Sequence, residues 1–327
     1  GDAGISESYV RSYILPDWWS DEIAESSTGF LEAIGYIAKH LGVEPSVLRD
    51  EGASLSAQSV AGARFKLRAD VDADDVTWAQ SVAVRAGEMA AYATREPFQL
   101  SPEESASSIR DHILENGAEW VDLEHLLSFC WDSGVPVLHV PEVPGNKMDG
   151  MVVSADERPV IVLSKDQSQK AWLLFILAHE LGHIVRGHLE EGDVLIDEEY
   201  APDSSDPREQ EADQFAVELI SGHPDLAVEG DLVEATVLAE QARRFAAEHR
   251  MAPGAVVLNF AFHHPANAWA LANKTLEKLN PDADAPGIIR SSLRDRLNWS
   301  SLPDESADFL ARVSGIDRPS EPVPAVT

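Results

Sequence analysis

Three residues in the middle of the chain have the types and the spacing needed for metal-dependent chemistry. His179, Glu180 and His183 form the pattern His-Glu-x-x-His within "LLFILAHELGHIVRGHL". On an α-helix, residues four apart share one face, so both imidazoles can reach one metal ion. Glu180 directly follows the first histidine, which places a carboxylate where it can take a proton from a metal-bound water. The pattern therefore predicts a metal site with a general base beside it.

The residues before this motif strengthen the prediction. Residues 173–177 are all apolar, so the start of the helix is expected to be buried. Burial of ionisable side chains costs free energy unless they are paired or bound to a metal. The alternative interpretation is two core histidines that are satisfied by hydrogen bonds and stand next to a neighbouring glutamate. The apolar context favours the metal site.

A third ligand must come from outside the motif, because a catalytic zinc ion usually has three protein ligands and keeps one position for water. His188 is the nearest candidate in the chain. It lies five residues after His183, which is more than one helical turn, so its side chain is expected to point away. We therefore look for the third ligand on another element.

A second predicted helix, 207–221, carries better candidates. Its apolar stripe consists of Ala212, Phe215, Ala216, Leu219 and Ile220. Glu211 borders this stripe, and Glu218 lies seven residues further along the same side, so the helix period leaves both open. Glu209 and Asp213 are expected to lie farther from the stripe and to be solvated.

The ends of this helix are marked by known capping signals. Asp206 is predicted to be the N-cap, Pro207 to take the first helical position and Gly222 to end the helix. Glu209, three residues after the N-cap, is predicted to complete a capping box. Before the motif, residues 151–154 and 160–163 are β-rich runs that predict a hairpin.

The order of these elements resembles the ImmA/IrrE family of zinc metallopeptidases. The predicted hairpin, "LAHELGHIVRGH" and then "EADQFAVELI" are similar to the family pattern His-Glu-Leu-Gly-His followed by Glu-Ala-Asn/Asp-x-Phe-Ala. The resemblance covers about residues 135–222. It implies that His179, His183 and Glu211 are the metal ligands and that Glu180 is the general base.

The resemblance also implies an activity. A family member is a zinc-dependent endopeptidase, with Mn²⁺ as the other candidate metal, that cleaves a protein rather than digesting peptides in general. The usual substrate is a helix-turn-helix transcriptional repressor, a basic DNA-binding protein, and its cleavage acts in stress response or mobile-element regulation. We expect the same of this chain.

Four further residues are auxiliary candidates. An oxyanion must be stabilised during amide hydrolysis, and Tyr200, His188 and His223 lie near the motif in sequence. Each ligating imidazole should donate its other N–H to an acceptor. Asp213 is a candidate acceptor because the matching family position holds Asn or Asp.

The predicted fold class is α+β, mostly helical, with a small antiparallel sheet packed on the HExxH helix of a zincin-like peptidase domain. Longer members of the family often carry a helix-turn-helix domain ahead of the peptidase. The predicted regions are an N-terminal helical region with a degenerate helix-turn-helix pattern (1–60), a helical linker region (61–133), the peptidase domain (134–225), a C-terminal helical domain (226–312) and a flexible tail (313–327).

The chain is strongly acidic. Its 57 Asp and Glu against 25 Lys and Arg give a formal net charge of −32 over 327 residues. Residues 1–60 alone contain ten acidic and three basic side chains, a net −7. Because phosphate backbones are bound by clustered Lys and Arg, direct DNA binding is not expected. The acidity indicates either a basic protein partner or a surface adapted to a salt-tolerant host.

The compartment is predicted from cysteine use and from apolar runs. Cys130 is the only cysteine, so no internal disulfide can form, and its apolar neighbours predict a small buried side chain rather than a reactive thiol. No apolar run is long enough to cross a membrane, and the first residues lack the pattern of a signal peptide. We expect a soluble, cytoplasmic protein.

Two other functions remain as alternatives. The chain could be a non-proteolytic regulatory binding module for a repressor or toxin, in which the metal site is only structural. It could also be a DNA-binding regulator that uses residues 1–60, since "IAKHLGVEPSVLRD" has the rhythm of a helix-turn-helix.

Overall fold

The structure is a computed structural model that describes residues 7–16, 18–49, 64–66, 78–101, 103–141, 148–155, 157–189, 193–198, 206–265 and 268–319. The helices in these ranges are α1 (Glu7–Tyr9), α2 (Asp21–Ala24), α3 (Ser27–Leu41), α4 (Trp78–Ala93), α5 (Ala106–Glu115), α6 (Leu123–Asp132), α7 (Lys170–Val185), α8 (Pro207–Ser221), α9 (Ala235–His249), α10 (Pro253–Phe262), α11 (Ala268–Leu279), α12 (Ala285–Arg296) and α13 (Asp304–Val313). The strands are β1 (Arg64–Lys66), β2 (Val137–His139), β3 (Met148–Ala155), β4 (Arg158–Leu163) and β5 (Asp193–Glu198).

The strands form one sheet in the order β1-β5-β3-β4-β2. The predicted hairpin is present as β3 and β4, with Ser154 paired to Pro159 and the tight turn at Glu157 in the left-handed region (φ 62°). The α+β class is confirmed. The sheet is mixed rather than wholly antiparallel, because the outer strands β1 and β2 join their neighbours in parallel.

Helix α7 carries the His-Glu-x-x-His motif and is enclosed on several sides. It packs against β3 and β4 and against α6, α8 and α10. Its buried residues run from Ala171 to His183 with few interruptions, as expected for a helix without a solvent-facing side. The helix ends at Val185, and Gly187 then turns the chain with φ 70°.

Helix α8 has most of its predicted signals. The Asp206 side chain accepts a hydrogen bond from the Arg208 N–H at 2.9 Å, Pro207 occupies the first position and Gly222 ends the helix with φ 86°. The predicted capping box is wrong, because the Glu209 side chain turns away from the helix start and is buried beside the histidines of α7.

Arg110 on α5 fixes the far end of α8. Its Nη1 donates to the carbonyls of Leu219 (3.2 Å) and Ile220 (2.6 Å), and its Nη2 donates to those of His249 (3.3 Å) and Arg250 (2.6 Å). The last carbonyls of a helix have no partner within the helix, so these bonds satisfy groups at the ends of both α8 and α9. Burial lowers the pKa of the Arg110 guanidinium.

The N-terminal region is only partly described. Helix α3 starts at the N-cap Ser26 and ends at Gly42, which has φ 64°. In the segment with the helix-turn-helix pattern, α3 is followed by a 3₁₀ turn of three residues, Val47–Arg49. Residues 50–63 lie outside the described part of the chain. Lys39 pairs with Glu305 of α13 at 2.9 Å, so α3 contacts the C-terminal helices.

Two predictions about the rest of the chain can be compared with the structure. Cys130 is fully buried, and this burial raises the pKa of its thiol, as expected for a small core residue. No helix in the described ranges combines the length and the apolar character that a membrane crossing requires.

Buried side chains from Tyr9 to Val313 form one continuous core. The boundaries of the predicted regions remain predictions.

We expect Arg110→Met to destabilise the protein by about 3 kcal/mol, because it leaves buried carbonyls at two helix ends without a charged donor. Urea unfolding followed by circular dichroism measures the change. Arg294→Met is the matched control, since the Arg294 side chain is exposed and pairs with its neighbour Asp295 on the surface. A midpoint for Arg110→Met no lower than that of the control would contradict this role.

Candidate metal centre

The site is built where α7 and α8 approach each other closely. A Cβ added at Gly182 would lie 3.2 Å from the Ala212 Cα and 3.1 Å from the nearest ring carbon of Phe215. A side chain at position 182 would therefore push the two helices apart. The glycine of "HELGH" allows the acidic residues of α8 to reach the histidines of α7.

Two histidines and a glutamate converge at this contact. The Nε2 atoms of His179 and His183 are 3.0 Å apart. The Glu209 carboxylate lies beside them, with Oε2 at 3.5 Å from the His179 Nε2 and Oε1 at 3.7 Å from the His183 Nε2. All three residues are buried, and their ligand atoms lie within 4.8 Å of one another. We call this set the His-His-Glu cluster.

Hydrogen bonds on the other ring nitrogens orient the two imidazoles. The His179 Nδ1 lies 2.9 Å from the Asp213 Oδ1, so the ring donates its Nδ1–H to this carboxylate. The Nε2 of a neutral His179 is then left with a lone pair that faces the cluster. This is the position predicted for Asp213, although its side chain is partly buried rather than solvated.

His183 is oriented through a second histidine. Its Nδ1 lies 2.8 Å from the Nδ1 of His188, and the His188 Nε2 lies 3.0 Å from the Glu211 Oε2. Because a carboxylate only accepts, His188 carries its proton on Nε2 and accepts from the Nδ1–H of His183 at its own Nδ1. The Nε2 lone pair of His183 therefore also faces the cluster.

The structure brings together a different acidic residue from the one expected. Glu211 is more than half exposed (56%) and contacts His188, whereas Glu209 (5%) lies beside both motif histidines. The expectation that Glu209 is solvated is wrong. It lies three residues before Ala212 and four before Asp213, so the helix period puts all three on the face toward α7. The spacing of Glu209 and Asp213 was the signal available in the sequence.

The expectation for His188 is also wrong. Its side chain returns to His183 instead of pointing away, because Gly187 reverses the chain after the end of α7, and the His188 N–H bonds the His183 carbonyl at 3.0 Å. Burial lowers the pKa of His188, against the opposite effect of its hydrogen bond to Glu211, and favours the neutral ring.

Glu180 is completely buried and lies against strand β3. A Cβ added at Gly150 would be 2.0 Å from the Glu180 Oε1, so a side chain at this position would displace the carboxylate from its present place. The position of Gly150 was not singled out from the sequence, because the contact joins residues 30 positions apart. Glu180 therefore lies between the motif helix and the strand.

The two remaining auxiliary candidates are His223 and Tyr200. His223 is exposed and follows the C-terminal end of α8, about 20 Å along the helix from Glu209. Tyr200 lies outside the described residues. Glu218, the rival to Glu211, is partly buried on α8, and no contact with the cluster is among its described interactions.

The donor set fits a metal ion. Two imidazole nitrogens and one carboxylate are the ligands of many zinc sites, and three of them leave a position for water. The two Nε2 lone pairs face each other at 3.0 Å, an arrangement that repels unless a cation lies between them. The His-His-Glu cluster is therefore a suitable site for a divalent cation.

The comparisons with known proteins give one match. Residues 137–226 match a peptidase family model described as the IrrE N-terminal-like domain. No curated protein and no solved structure matches the chain. The matched residues extend from β2 through α8 and include the His-His-Glu cluster and Glu180. Residues 137–226 are therefore similar to the IrrE N-terminal-like domain of this peptidase family, as the motif resemblance predicts.

Proposed function

We propose that the protein is a metal-dependent endopeptidase that cleaves a peptide bond in a protein substrate. One observation carries this proposal: a buried cluster of two imidazoles and a carboxylate stands beside a second buried carboxylate, Glu180, within the part of the chain that matches a peptidase family. A cluster with a purely structural role has no need of Glu180.

We propose His179, His183 and Glu209 as the metal ligands. This choice replaces Glu211 with Glu209, because Glu211 reaches the cluster only through His188 and His183. Two nitrogens and one oxygen suit Zn²⁺, and Mn²⁺ is the other candidate. In the same way, Asp213 and His188 act as positioning residues that fix the tautomers of the two histidines.

Amide hydrolysis needs an activated water and a proton carrier. A divalent cation held by His179, His183 and Glu209 would supply Lewis-acid activation of the water and of the scissile carbonyl. Glu180 then accepts the proton of the attacking water and transfers it to the nitrogen of the leaving amine. The carboxylate packs against Gly150 of β3, so the scissile bond is expected to lie beside that strand.

The substrate class follows from the family resemblance and from charge. We propose a helix-turn-helix transcriptional repressor, whose cleavage acts in stress response or mobile-element regulation. Such a repressor carries a basic DNA-binding surface, and the net charge of −32 favours its approach over long range. The burial of the lone cysteine agrees with a reducing, cytoplasmic location.

Metal binding tests the proposed ligands. Loss of a residue that only hydrogen-bonds a metal-ligating histidine lowers metal affinity by roughly 10–100-fold. We expect Glu211→Gln to weaken Zn²⁺ binding within this range. We expect Glu209→Gln to weaken it by more, because Glu209 is a proposed ligand. Competition with a chromophoric chelator gives the affinities, and elemental analysis gives the ion and its stoichiometry. Glu218→Gln is the control on the same helix and should match the wild type. A greater loss for Glu211→Gln than for Glu209→Gln would restore Glu211 as the ligand.

Cleavage tests the proposed reaction. A helix-turn-helix repressor, with any repressor encoded beside the gene as the first choice, is incubated with the metal-loaded full chain, and the products are analysed by mass spectrometry. We expect Glu180→Gln to lower the cleavage rate by about 10²–10⁴-fold while its metal content stays that of the wild type. Glu218→Gln again serves as the matched control. A stable complex with the repressor, in which neither the wild type nor Glu180→Gln cleaves it, would instead favour the regulatory binding module.

A further inference from the structure

A mostly apolar cavity of about 290 Å³ lies beside the His-His-Glu cluster. We call it the apolar cavity; its main walls are Trp172, Phe175, Val217, Leu258, Phe262 and Trp269. We propose that it binds one large apolar side chain of the substrate, at a residue next to the cleaved bond. This inference rests on the proposed function and names the residue type that the same site selects.

The position of the cavity ties it to the reacting groups. Phe175 lies one helical turn before His179, and the two ring centroids are 6.4 Å apart. Asp213 lines the cavity and also accepts the Nδ1–H of His179. On the other side, the lining residue Asp149 is followed directly by Gly150, which contacts Glu180. A residue next to a scissile bond held at Glu180 would therefore lie close to the cavity.

The chemistry of the walls selects an apolar occupant. Trp172 and Trp269 stack with their centroids 5.3 Å apart and present carbon surface to the interior. Two of the lining carboxylates already have partners, since Asp149 pairs with Lys165 at 2.6 Å and Asp213 with His179. None of the described lining residues is Lys or Arg, so an acidic side chain would enter without a counter-charge.

The size of the cavity suits an aromatic ring or a long aliphatic chain. An apolar cavity of roughly 150 Å³ already accepts benzene. The volume of about 290 Å³ thus holds a phenyl ring with the atoms that join it to a backbone. Burial of such a side chain contributes favourable free energy that a small side chain such as alanine cannot supply.

One wall comes from outside the peptidase match. Leu258 and Phe262 lie on α10 and Trp269 lies on α11, whereas the match ends at residue 226. Helix α10 packs against both α7 and α11, so these residues are held in place by the core. The C-terminal helices therefore take part in substrate selection as well as in stability.

The experiment uses the metal-loaded full chain and a proteome-derived peptide library, with cleavage sites read by mass spectrometry. Leu258→Trp should fill the cavity, because Leu258 is 9% exposed and lines its wall. Leu232→Trp makes the same change at an exposed position and serves as the control. Ligand-observed NMR compares the binding of N-acetyl-phenylalaninamide, N-acetyl-alaninamide and N-acetyl-argininamide to the same proteins.

We expect a large apolar residue at one fixed position next to the cleaved bond, and a loss of this preference by about tenfold or more in Leu258→Trp. The NMR arm should show binding of the phenylalanine probe alone, abolished in the same variant. If Leu258→Trp does not fold, Phe262→Ala replaces it, because Phe262 lines the cavity and is 37% exposed. This variant should weaken binding of the phenylalanine probe. Phe98→Ala, at a residue that is 39% exposed, is its control.

Cleavage without such a preference, or with one that Leu258→Trp leaves unchanged, would overturn the apolar cavity as a substrate site and leave the proposed function intact. Preferential binding of the arginine probe would also overturn it. If the wild type cleaves neither the library nor a helix-turn-helix repressor, the proposed function fails. The phenylalanine probe then decides whether the cavity still binds an apolar side chain or binds nothing.

Discussion

The close contact between α7 and α8 at Gly182 is the constraint on which the rest of the site depends. It brings a carboxylate from one helix against two imidazoles from the other, in an interior where an isolated charge would be costly. Glu209 provides a negative charge. The Nε2 lone pairs of His179 and His183 face each other beside it and so can bind a cation. A divalent cation would satisfy all three residues together.

The other elements hold this contact in a fixed geometry. Asp213 and the His188–Glu211 pair determine which nitrogen of each motif histidine faces the cluster. Arg110 bonds the carbonyls at the opposite end of α8 and so restricts movement of the helix along its axis. Strand β3 closes the site from the sheet side, where the absence of a side chain at Gly150 leaves space for Glu180.

Much of this arrangement follows from local sequence patterns. The hairpin, the motif helix and the two ends of α8 depend on residues close together in the chain, so local residue types and their spacing predict each of them. The acidic member of the cluster, Glu209, is not predicted in this way, because its spacing from Ala212 and Asp213 distinguishes it from Glu211 only once the face of α8 that meets α7 is known. His188 returns to the cluster through a single left-handed glycine. The apolar cavity depends on α10 and α11, which no pattern near the motif indicates.

The central claim is that the Nε2 atoms of His179 and His183 and the carboxylate of Glu209 share one metal ion. Anomalous diffraction from crystals of the full chain grown with Zn²⁺, recorded at the zinc absorption edge, tests it most directly. The account predicts a single strong peak within bonding distance of these three residues, with Glu211 still on His188. A peak bonded by Glu211 or His188 in place of Glu209, or no peak between the two motif histidines, would contradict it.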